Sequence, residues 1–85
     1  MEYLITVFRS RTQVMKFCDL LTKYRISASI INTPREACLG CGLSVKTDVR
    51  DFEYVNQLLK ISECPSFAGF FIVQERGHHK TVRPL

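Results

Sequence analysis

The spacing of apolar residues switches back and forth between a period of two and a period of about 3.6 along the chain, and this alternation limits the fold more than any other feature. Tyr3 to Phe8 are β-branched and aromatic and read as a strand. Ser10-Arg-Thr-Gln13 follows as a capping box, in which the Ser10 hydroxyl accepts from the Gln13 N–H and the Gln13 side chain reaches back to the cap. Val14, Phe17, Cys18 and Leu21 then recur at helical spacing and predict a helix over about 11–24. Ser27 to Ile31 reads as a second strand, ended by Asn32-Thr33-Pro34, and Leu43 to Thr47 as a third. Asp48 or Asp51 can cap a second helix, whose Phe52, Val55 and Leu59 share a face and which Pro65 stops. Phe67 to Gln74 is the fourth strand, apolar on both faces and therefore well covered.

The order β-α-β-β-α-β predicts an α+β fold, the ferredoxin-like two-layer sandwich, with a four-stranded antiparallel sheet and both helices on one face. With 85 residues the chain has room for one core. Residues 1–75 are expected to form that domain, and 76–85 a flexible basic tail. A composition of 46% hydrophobic and 24% charged residues is that of an ordinary globular chain and excludes a disordered or coiled-coil protein. The apolar runs are too short for a membrane span, and the first residues show neither a basic leader nor a cleavage site, which points to the cytoplasm. The formal charge of +4 is concentrated in the tail, where Arg76, Lys80 and Arg83 meet no acid. The body of the chain is near balance, so no nucleic-acid partner is expected.

This topology gathers residues that are distant in sequence. Parallel first and second strands put three segments at one end of the sheet: 8–12 after the first strand, 33–42 between the second and third, and 62–67 before the fourth. Arg9, Arg11, Arg35, Cys38, Cys41 and Cys64 fall in these segments, together with the N-terminus of the first helix, which Ser10 caps and which favours an anion. A cysteine there gains thiolate character from the arginines and the helix end. Cys41 is the strongest candidate, because Gly40 and Gly42 leave its sulfur uncovered. Arg35, following Pro34, is expected to be extended with its side chain leaving the sheet end, and a guanidinium within ~6 Å of that sulfur would lower the thiol pKa.

Four cysteines in a chain without a secretory signal do not suggest a disulfide framework. Cys38 and Cys41 form a C-x-x-C pair with three readings: a redox dithiol, half of a zinc site, or Cys41 acting alone or with Cys38 as a resolving thiol. A zinc site would need Cys64, His78 or His79 to join, and no metal is expected. Cys18 lies on the apolar stripe of the first helix and is expected in the core. No Ser/His/Asp arrangement or Gly-rich phosphate loop is present.

Over Thr33-Pro-Arg-Glu-Ala-Cys-Leu-Gly-Cys-Gly-Leu-Ser-Val45, with Phe8-Arg9-Ser10 upstream, the chain resembles the selenium/sulfur (Se/S) carrier protein-like family of small prokaryotic proteins. The resemblance spans residues 3–75. It implies that Cys41 is a carrier thiol with Arg35 and Gly42 in its motif. It also implies a persulfide or perselenide held on Cys41 and passed to an acceptor enzyme. The partners would be sulfur or selenium donor and acceptor proteins, with no cofactor, and the chain would be a relay rather than a stand-alone enzyme.

Two functions follow as expectations. In the first, Cys41 carries the chalcogen while Arg9, Ser10, Arg35, Gly40 and Gly42 bind and shape the loop. In the alternative, the chain is a small regulatory or ligand-binding module with an anion site at Arg9, Arg11 and Arg35 and no thiol chemistry. In either, the outward face of the sheet needs cover, and Tyr3, Phe70 or Phe71 could supply a homodimer contact.

Overall fold

A computed structural model describes every residue except Leu39 and Cys41. The strands are β1 (Glu2–Phe8), β2 (Ala28–Asn32), β3 (Leu43–Thr47), β4 (Phe67–Arg76) and β5 (His79–Pro84), and the helices are α1 (Arg11–Lys23) and α2 (Phe52–Ser62). Single 3-10 turns stand at Arg35–Ala37 and Val49–Asp51. The fold is α+β with two helices and an antiparallel sheet in the order β2-β3-β1-β4-β5. The sheet thus has five strands, not the expected four. Residues 79–84, assigned to a flexible tail by the sequence reading, pair with β4 from Phe71↔Pro84 to Arg76↔His79. Gly77 makes this hairpin: at φ +59° it takes the first place of a two-residue turn, a conformation in which a side chain would be strained.

β1 and β2 both run antiparallel to β3, so they are parallel to each other with β3 between them. β1 sits at the centre of the sheet and is buried along nearly its whole length. Leu4 and Phe8 face the helices, where Val14, Phe17 and Leu21 of α1 and Val55 and Leu58 of α2 complete one core. Each fully buried side chain of that size contributes ~1.5–3 kcal/mol. Phe8 is wedged edge-on between Phe17 and Phe67, with ring centroids 5.4 Å and 6.1 Å away.

The opposite face carries a second core of Tyr3, Ile5, Val7, Ala37 and Val73. Tyr3 is only 5% exposed. The Lys46 ammonium lies 4.4 Å from its ring centroid, and its hydroxyl donates to Glu75 Oε1 at 2.7 Å. Phe70 is turned to the helix side against Phe52, at 5.1 Å. Tyr3 and Phe70 are therefore covered within the chain and do not offer the outward contact expected of them. Among the described residues no helix is long and apolar enough to cross a membrane.

Candidate functional site

β1 and β2 end, and β3 and β4 begin, at the same edge of the molecule, as the pairs Phe8↔Phe67 and Asn32↔Leu43 show. The turn after β1 and the turn before β4 are tied together at this edge. The Arg9 N–H donates to the Ser66 carbonyl at 2.9 Å. Ser10 caps α1, its hydroxyl accepting from the Gln13 N–H at 3.4 Å, as the capping box predicts. The other arm of the box differs: the Gln13 side-chain oxygen accepts from the Ser66 N–H at 2.9 Å and from the Ser66 hydroxyl. A partner with two donors holds the amide better than the single N–H of the cap.

The β2–β3 connection is closed at its base, where the Thr33 N–H donates to the Gly42 carbonyl at 2.8 Å and the Thr33 and Ser44 hydroxyls bond at 2.6 Å. Pro34, with φ −57° and ψ 146°, directs the chain into the 3-10 turn, whose Ala37 N–H donates to the Pro34 carbonyl at 2.9 Å. Arg35 is therefore the first residue of a turn and not extended, because proline restrains the residue before it more than the one after. Ala37 is buried against Ile5 and Val7 on the face opposite the helices. The loop is thus folded onto the sheet, with Arg35 and Cys38 exposed on its surface.

Beyond Cys38 the loop passes Arg9. A Cβ built on Gly40 would stand 3.9 Å from the Arg9 Cγ, and Gly40 itself has φ +122°, a conformation that a side chain would strain. Around Gly42 there is open space. Arg9, Ser10 and Gly40 are thus brought together, with Ser66 as a fourth member that the sequence reading missed. The signal for Ser66 was a hydroxyl one residue after Pro65, but its partner is far away in sequence. Arg11 is exposed at the start of α1, whose first turn holds no acidic residue to offset the positive end of the helix. Arg35 is exposed in the 3-10 turn of the same loop. The expected proximity of Arg35 to Cys41, and the placement of Cys41 itself, lie outside the described residues.

The remaining thiols have packing roles. Cys64 is buried in the helix-side core, its sulfur 3.3 Å from the Ser62 hydroxyl. Cys18 packs partly buried against the same core, and burial first, then the Asp19 charge, raises its thiol pKa. Among the described residues no group of three His, Cys, Asp or Glu side chains is placed to hold a metal ion. His78 lies in the β4–β5 turn and His79 opens β5, at the sheet end away from the loop.

An α+β domain with two helices and an antiparallel sheet, whose β2–β3 loop carries Cys38 and Gly40 at one end of that sheet, is the class these elements define. The family model described as "Putative Se/S carrier protein-like" matches residues 2–65, from the first strand through the loop to the turn before β4, and the chain belongs to that family. Searches of curated proteins and of solved structures returned no match.

Proposed function

We propose that the chain is a sulfur or selenium carrier whose Cys41 thiol holds a persulfide or perselenide for an acceptor enzyme. The observation that carries this reading is the approach of the Gly40 backbone to the Arg9 side chain, beside an N-terminus of α1 with no acidic residue in its first turn, within the span of the family match. A cation whose stem passes the loop and a helix end beside it favour an anionic sulfur, and the glycines on either side of Cys41 in the sequence carry no side chain to cover it. Arg35, exposed in the 3-10 turn of the loop, adds a second cation. The chain acts as a relay and not as a stand-alone enzyme, and its thiol requires a reducing compartment such as the cytoplasm. We also read the four strands before β5 as a ferredoxin-like unit, since both crossovers interleave a strand between parallel partners.

The chemistry balances without an added oxidant. The Cys41 thiolate attacks the outer sulfur of the donor's persulfide, the donor's S–S bond breaks, and the donor leaves as a thiolate. A nucleophile of the acceptor then takes that outer sulfur and Cys41 leaves as a thiolate. If Cys38 attacks the inner sulfur first, a Cys38–Cys41 disulfide forms and hydrosulfide is released, which ends the relay. Cys38 is thus a resolving thiol that limits the lifetime of the loaded form.

Iodoacetamide alkylation over a pH series, with Cys38 replaced by Ser, tests the electrostatics. Cys41 should react near neutral pH ahead of Cys18 and Cys64, and Arg9→Ala should shift its titration upward. A Cys41 that resists the reagent would favour the ligand-binding module, and superimposable titrations for Arg9→Ala would remove the activation argument.

A further inference from the structure

The outer side of α2 is not used by the fold. Val55 and Leu58 face the core, whereas Glu53, Tyr54, Gln57, Lys60 and Ile61 are exposed. Tyr54 and Ile61 remain 65% and 70% exposed, and with Tyr24 at the end of α1 they line a groove of about 770 Å³ that Arg25, Asp51 and Lys60 also line. Exposed apolar side chains that share one groove, rimmed by charged ones, favour an interaction site.

The pattern on the stripe identifies the occupant. At ~100° per residue, Tyr54 and Ile61 fall on one side of Gln57, and Glu53 and Lys60 fall on the other. Each side therefore pairs one residue before Gln57 with one after it, two turns or ~10 Å apart. A two-fold axis near Gln57 would set a second α2 antiparallel to the first. Tyr54 would then meet Ile61 of the second copy on one side of the axis, and Glu53 would meet its Lys60 on the other, each contact occurring twice. An isologous interface requires this self-complementarity, in which residue i meets j and j meets i.

We infer that the chain forms a two-fold homodimer through α2, with Tyr54 and Ile61 as apolar anchors and Glu53–Lys60 pairs fixing the antiparallel register. The C-terminal end of α2 leads into the turn that bonds Arg9. An antiparallel pair therefore sets the two cysteine loops at opposite ends of the dimer, both open to partners. The inference rests on α2 and stands apart from the carrier reading.

Sedimentation equilibrium at low ionic strength over a wide concentration range tests it. The wild type should dimerise, and Ile61→Asp should weaken the dimer about tenfold or more, since it forces a carboxylate onto the apolar anchor. Lys60→Glu should also weaken it, by opposing two carboxylates, and Glu53→Lys combined with Lys60→Glu should restore it. Circular dichroism checks that these exposed substitutions leave the fold intact. A wild type that stays monomeric throughout, an Ile61→Asp that associates like the wild type, or a double exchange no stronger than Lys60→Glu alone would each overturn the inference. A monomeric result would assign the groove to a different chain.

Discussion

Two single side chains show how this small core balances polar groups. Thr6 stands on the helix side of the central strand, opposite Val45 and Phe70, and its hydroxyl is buried with no hydrogen-bond partner among the described residues. An unmet buried hydroxyl is costly, whereas its apolar isostere loses nothing at that site. Thr6→Val should raise the urea midpoint, by about 1 kcal/mol of stability, without changing the slope of the transition. A loss of similar size would mean that the hydroxyl is bonded. Tyr3 is the opposite case. Burial, reinforced by its bond to Glu75 and by that carboxylate's charge, pushes its phenol from 10.0 up to about 12. The unfolded chain gives up this proton near the lower value and the folded chain near the higher one. The stabilisation is therefore complete below pH 10 and is lost as pH rises toward 12. Urea titrations across that window should show a loss of stability in the wild type that Tyr3→Phe lacks, and parallel curves would contradict the assignment.

At the scale of elements, what was legible in the sequence is what local spacing controls. Val14, Phe17 and Leu21 marked the buried stripe of α1, and Ser10 marked its cap. Gln13 was misread because its partner, Ser66, lies across the sheet end, and no local pattern records a contact 53 residues away. β5 was hidden by its charges. Lys80, Arg83 and two histidines look like a solvated tail, yet Val82 packs opposite Val73, and Gly77 supplies a hairpin turn. The basic residues suit an edge strand, where they discourage pairing with another chain. The loop from Thr33 to Gly42 was placed at the correct end of the sheet from topology alone. Its fold onto the sheet was not legible, because it depends on burying one small residue, Ala37, against Ile5 and Val7.

The whole molecule is polar along the strand direction. One end gathers the cysteine loop, Arg9, Ser66 and the start of α1, and the other carries the β4–β5 turn with its histidines. Loop and core share parts: Val7 is buried in the second core, and the next residues of the chain, Phe8 and Arg9, lead into the turn that meets the loop. This leaves the loop a fixed base and exposed outer surface, which suits a group that must be loaded and unloaded by other proteins. The carrier reading depends on one sulfur atom. Incubation with a cysteine desulfurase and cysteine, followed by intact mass measurement, tests it most directly. The wild type should gain one sulfur atom, a gain retained in Cys64→Ser, longer-lived in Cys38→Ser and abolished in Cys41→Ser. No added sulfur on the wild type, or equal addition to Cys41→Ser, would contradict it.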